Sequence, residues 1–274
     1  MQVVYTEWAF GRDRRLLQKF AEICLLHNLQ VCDCLSLAEL NRTFFAIAGK
    51  SADQYEAFVQ LLDEAFETLD LNRLPSPVPR LGALDLVEIT PPDNVLAMGL
   101  AQLLVLRDVP VLFGEGMSSQ LRDGEHLALR ERGFGGMIEA AILPDFGPTT
   151  THPRLGTTTF AASEPSVRFT IRLPDIGSHE LAGVVRAIES RRVEGDPDYL
   201  GIRMKAYPTS GASALLIFHS ELPGLIEIDS LVQQVEKLLT KSEIRFEKPA
   251  ALGAVTFEQL TGCLRLIVRP EQKV

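Results

Sequence analysis

Apolar positions recur along this chain with two periods. Leu17, Phe20, Ala21 and Cys24 fall at i, i+3, i+4 and i+7. Tyr55, Phe58, Val59 and Leu62 repeat the stripe behind Ser51, which is placed to act as an N-cap. Leu181, Val184, Val185 and Ile188 form a third stripe, and Leu231, Val235, Leu238 and Leu239 a fourth. These are read as the core faces of helices. Strands are expected between them at Val3–Thr6, Gln30–Leu35, Thr43–Ala48, Leu84–Ile89, Val109–Phe113, Val167–Leu173, Gly201–Ala206, Ala214–His219 and Cys263–Arg269. Alternating helices and strands define an α/β or α+β class.

The order of these elements is informative. The C-terminal part reads strand, helix, strand, strand, helix, strand, the order of a ferredoxin-like split unit. The N-terminal part opens the same way, with further helices and a strand behind it. Two related subdomains are therefore expected, residues 1–157 and 158–274. The Pro/Gly/Thr-rich stretch from Pro144 to Gly156 is read as the join, because it cannot lie inside a regular element.

One alternation bears on chemistry. Between Val167 and Leu173 apolar residues alternate with Arg168, Thr170 and Arg172. Between Ile202 and Ala206 they alternate with Arg203 and Lys205. Period two places each polar set on one strand face. If the two strands pair, a cationic patch results; the alternative is an ordinary solvated face.

Composition narrows the classes. Hydrophobic residues make up 46% of the 274, enough for a core, and the net charge is −9. Such an acidic balance argues against a nucleic-acid-coating surface, which needs clustered cations. The most apolar stretch, Val95 to Leu106, is interrupted by Gln102 and too short to span a bilayer. The opening residues lack the basic and apolar regions of a secretory leader. Reduced cysteines and a cytoplasmic location are expected, with no membrane and no nucleic-acid partner. Cys32 and Cys34 have no second ligand pair at metal spacing, so they read as buried strand thiols and no metal is expected.

Short motifs add little singly. Asp145-Phe-Gly147 lacks the Gly-rich loop and catalytic loop that would make it a kinase triplet. Asn41-Arg-Thr43 fits a glycosylation sequon that a cytosolic chain never presents. Gly133-Phe-Gly-Gly136 has the wrong spacing for a dinucleotide fingerprint. Among the histidines, His27 is expected to be exposed behind a helix, His179 lies in a first helical turn, and His219 ends a strand. His152 alone sits in an irregular segment where binding groups gather.

Several segments taken in order resemble the formiminotransferase family, which moves a formimino group from formiminoglutamate to tetrahydrofolate. They are Asp33 with Asn41-Arg-Thr-Phe-Phe-Ala-Ile-Ala-Gly49, Pro79-Arg-Leu-Gly-Ala-Leu-Asp85, and Val109-Pro-Val-Leu-Phe-Gly-Glu115. Leu129-Arg-Glu-Arg-Gly133 and Pro144-Asp-Phe-Gly-Pro148, with His152, Pro153 and Gly156, complete the set. The resemblance runs from Asn41 to about Leu173 and is faint beyond. It implies two ferredoxin-like α/β subdomains with facing mixed sheets and a folate tunnel between them. By analogy it also implies a homodimer. Asn41, Arg80, Gly147, Thr149, Thr150, His152, Arg168 and Arg172 are the positions it offers for an anionic ligand such as tetrahydrofolate or a derivative.

The departures fall on the chemistry. The family's general acid/base histidine has its counterpart at Val78, and the acidic residue that assists it at Leu35. Neither side chain carries a proton, and a positioned acid/base contributes roughly 10²–10⁴-fold. The family's opening Asn-Phe-Ser-Glu-Gly is replaced by Glu7-Trp-Ala-Phe-Gly11, and a later Ser-Glu-Leu-Val-Gly by Lys248-Pro-Ala-Ala-Leu-Gly253. Three readings follow. The first is a formiminotransferase-like protein without that activity, retaining an anionic ligand. The second is a transferase of altered chemistry built on His152, with Glu115 and Asp145. The third is a structural subunit that pairs with another chain.

Overall fold

The computed structural model describes residues 2–76, 79–114, 116–117, 133–136, 143–162, 167–193, 202–209, 213–220, 236–237, 239–240 and 250–252. The chain divides into two units, residues 1–164 and 165–274.

The first unit runs β1 (Gln2–Trp8), α1 (Arg14–Leu26), β2 (Gln30–Leu37), β3 (Arg42–Gly49), α2 (Ser51–Thr68), β4 (Leu84–Thr90), α3 (Asn94–Val105), β5 (Val111–Phe113) and β6 (Thr158–Ala162). Its sheet has the order β2-β3-β1-β4-β6-β5. The first four strands are antiparallel in the ferredoxin-like order, and β6 extends them in parallel with both β4 and β5. The helix-facing side carries Val4, Trp8, Phe45, Ile47, Val87, Ile89 and Phe160, all in the apolar core. Phe20 of α1 meets Trp8, Phe10 and Phe45 edge-on, with ring centroids 4.9, 5.3 and 5.7 Å away. Such pairs contribute about 0.5–1.5 kcal/mol each beyond burial of area.

Several local expectations need correction. The buried face of α1 is Leu16, Phe20, Ile23 and Cys24, while Ala21 is exposed. Both stripes satisfy helical spacing, and only packing against the sheet selects between them. Ser51 does not cap α2. The cap position is Lys50, and the Ser51 hydroxyl donates instead to Gln2 Oε1 and Asp93 Oδ2. The stretch from Val95 forms α3, which Asp93 caps by accepting from Leu96 N at 2.9 Å. No described helix is long and apolar enough to cross a membrane. Cys32 is buried but Cys34, on the same edge strand β2, is exposed. His27 is not exposed: its side chain is 13% accessible and bridges α1 to α2 through Gln60.

The second unit runs β7 (Val167–Leu173), α4 (Ser178–Val193), β8 (Ile202–Thr209), β9 (Ser213–Ser220) and β10 (Ala250–Leu252). Its sheet order, β10-β7-β9-β8, is again the ferredoxin-like one. β10 closes the described sheet at 250–252; the strand expected at 263–269 and most of the helix stripe from Leu231 lie outside the described residues.

The two units meet between 164 and 165. The stretch 144–156 is irregular, but it leads into β6, which pairs inside the first sheet. β7 and β8 do not pair with each other; β9 lies between them. The register nevertheless aligns Arg168 with His219 and His219 with Arg203 in one cross-strand row. Arg172 aligns with Leu215 and Tyr207, and Thr170 with Ile217 and Lys205. Directly opposed positions share a sheet face, so the cationic positions of β7 and β8 fall on one face.

Candidate functional site

Two of the segments that stood out in the sequence are stitched together. The turn ahead of β4 is held by Asp85, whose Oδ1 accepts from Leu81 N at 2.6 Å and Gly82 N at 3.3 Å. The end of the 144–156 segment packs along it. Ala83 N donates to Leu155 O at 2.7 Å, and Thr157 N to Leu81 O at 3.0 Å. Gly156 has φ +77, and a Cβ there would lie 2.0 Å from Leu81 O. The close approach of these two backbones therefore requires glycine.

Asn41-Arg-Thr43 supports the same turn from the other side. Asn41 is buried with φ 48, and its Oδ1 accepts from Gly11 N at 3.0 Å. Arg42 Nη1 lies 2.9 Å from Glu7 Oε2 and 3.1 Å from Asp85 Oδ2, while Nη2 donates to Pro79 O at 3.0 Å. One guanidinium thus joins β1, the start of β4 and the 79–82 turn. All three side chains are under 9% exposed. Thr43 Oγ1 donates to Phe10 O at 2.5 Å. The motif is a brace, and its polar groups are spent on neighbouring segments.

Arg80 differs. It is 6% exposed, and among the described residues its Nη1 meets no acceptor. Burial, and next the neighbouring Arg42, push the guanidinium down to about 10, against the opposing pull of Asp85. Leaving a buried donor unmet costs about 1–3 kcal/mol.

The 144–156 segment is built on backbone contacts. Asp145 Oδ2 accepts from Phe113 N at 2.8 Å, and Val111 exchanges hydrogen bonds with Phe146. Gly147 has φ +92 and abuts Val105. Thr149 and Thr150 are exposed. His152 Nδ1 accepts from Arg154 N at 3.1 Å and Leu155 N at 2.9 Å. A ring nitrogen that accepts is unprotonated, so His152 is held neutral. Desolvation and the Arg154 charge likewise lower its pKa.

Arg80 lies in the 79–85 turn, Asn41 bonds to Gly11 and Pro75, and the loop that carries His152 docks on the turn through Leu155 and Thr157. Arg168 and Arg172 lie on β7 of the second unit. Leu35 lies on β2, half-buried opposite Phe44. Val78 and Glu115 lie outside the described residues. Among the described residues no three His, Cys, Asp or Glu side chains gather as metal ligands. Sequence reading missed the linkage of Glu7, Arg42 and Asp85. Its signal was three charges inside or beside otherwise apolar strands.

Comparison with known proteins agrees with this picture. The profile described as formiminotransferase domain, N-terminal subdomain, matches residues 3–163, nearly the whole first unit. A glutamate formimidoyltransferase of Streptococcus pyogenes serotype M1 is 26% identical over 58% of this chain and 58% of its own. A formimidoyltransferase-cyclodeaminase of Sus scrofa is 31% identical over 48% of this chain and 27% of its own. In each relative the match covers less than two thirds of the length. Among solved structures, one of a putative glycine cleavage system transcriptional repressor aligns with 92% of this chain and 97% of its own at 7% identity. Its TM-score is 0.28, too weak a likeness to carry an argument. With more than half of its residues matched by that profile, and with the ordered motifs braced around one turn, the chain belongs to the formiminotransferase family.

Proposed function

We propose that this chain is a formiminotransferase-like protein that does not transfer the formimino group but binds an anionic, folate-like small molecule. The observation that carries the reading is the contrast around the 79–85 turn. Glu7, Arg42 and Asp85 brace that turn through buried ion pairs. The positions where the family resemblance places the proton carriers hold Val78 and Leu35. What remains there is binding and orientation, without acid/base chemistry.

The aligned row of Arg168, His219 and Arg203 supports the anionic class of the ligand. Cationic positions on one sheet face suit a carboxylate tail. The reading that makes His152 a relocated acid/base has less support, because its Nδ1 is engaged by two backbone N–H groups.

The test is calorimetric titration with tetrahydrofolate and 5-formyl-tetrahydrofolate, beside a formimino-transfer assay. Saturable one-to-one binding without turnover is the expected result. Normal turnover would refute the loss of activity, and no binding up to millimolar ligand would refute the ligand class.

A further inference from the structure

We infer that the buried Arg80 guanidinium is the receptor for a carboxylate group of a small-molecule ligand. This rests on the reading above that the site keeps a ligand, and it names the group that anchors it. Arg80 and Arg42 are both buried, at 6% and 5% exposure, but their surroundings are opposite. Arg42 has two carboxylates and a carbonyl around it. Arg80 Nη1 has no acceptor among the described residues.

A guanidinium does not shed its proton near neutral pH even when pushed down to about 10. The side chain therefore remains a buried cation with an open donor. Its backbone is fixed on both sides, by Pro79 O accepting from Arg42 Nη2 and by the Asp85 carboxylate at Leu81 N and Gly82 N. A donor held this way is preorganised for an oxyanion.

Charge favours a single carboxylate over a phosphate. A monoanion adds one negative charge beside the buried carboxylates of Glu7 and Asp85. A dianionic phosphate would add two beside buried carboxylates. A planar carboxylate also matches the fork of the guanidinium.

The experiment compares the unsubstituted protein with Arg80→Met and Arg80→Lys. Melting is followed by Trp8 fluorescence, with sodium glutamate, sodium phosphate and sodium chloride at matched ionic strength. In the unsubstituted protein, glutamate is expected to raise the Tm saturably, with phosphate and chloride having little effect. Arg80→Met is expected to melt at the same temperature or higher without added anion, because it removes an unmet buried cation, and to lose the glutamate response. Arg80→Lys is expected to bind glutamate at least about tenfold more weakly.

A marked fall in the melting temperature of Arg80→Met, or its failure to fold, with Arg80→Lys responding as the unsubstituted protein does, would overturn the inference. So would an unchanged glutamate response in Arg80→Met, or no response in the unsubstituted protein. Folate binding that survives Arg80→Met would sink this inference and leave the proposed function standing. An Arg80-dependent glutamate response without folate binding would do the reverse.

Discussion

Replacing Arg42 with methionine tests how much of the first unit depends on its buried charges. Arg42 Nη1 sits between Glu7 Oε2 at 2.9 Å and Asp85 Oδ2 at 3.1 Å, with all three side chains under 9% exposed. Removing the cation leaves two carboxylates close together in a poorly solvated place and takes the donor from Pro79 O. Breaking a buried ion pair by deleting one partner costs about 3–5 kcal/mol. With a urea slope of ~2 kcal/mol/M for a unit of this size, the midpoint should fall by about 2 M. Trp8 is the only tryptophan and is fully buried in this unit, so its fluorescence reports this transition. Adding Glu7→Gln to Arg42→Met should cost less than the sum of the single effects, because one of the two stranded charges is removed as well. A coupling of about 1–3 kcal/mol is expected. A midpoint within ~0.3 M of the unsubstituted protein, or strictly additive effects, would show that water screens these charges and that the brace is not a buried network.

Other perturbations follow from single contacts. Asp13→Ala removes the cap of α1, where Oδ1 accepts from Arg15 N and Leu16 N, and should cost about 1 kcal/mol in the same urea assay. Gly156→Ala forces a Cβ to 2.0 Å from Leu81 O at φ +77, so soluble expression or the melting temperature should collapse. His152 has a lowered folded pKa, so its contribution is complete above the unfolded value of about 6.5 and is lost as pH falls through the folded one. His152→Ala should therefore lower stability by about 1 kcal/mol at pH 8 and flatten the dependence between pH 7 and 5. Mapping by mass spectrometry after alkylation at pH 8 should find Cys34 modified before Cys24 and Cys32. Cys24 and Cys32 should react slowly, since burial pushes their thiols up to about 12 and about 11.

The α/β class and the ferredoxin-like order of the first unit were legible in the amino-acid sequence by itself. Period is a property of consecutive residues, and it survives ignorance of what each element packs against. The strand cores at Val3–Thr6, Thr43–Ala48 and Leu84–Ile89 lie inside β1, β3 and β4 for that reason. The family was legible too, because ordered motifs such as Pro79–Asp85 and Pro144–Gly156 are local strings. Only the tertiary structure decided what those strings do. Ser51 stands where a cap would stand, yet its hydroxyl is drawn away by Gln2 and Asp93. The strand at Thr158–Ala162 carries small and polar residues directly behind an irregular segment. Nothing local marks it as lying between β4 and β5, which flank it in the sheet. Arg42 and Arg80 are two residues of one type, each beside a family motif. One is neutralised by Glu7, 35 positions away, and the other keeps an open donor. That difference belongs to distances across the fold, because a charge is paired or unpaired only once distant segments have been brought to within a few ångströms of it.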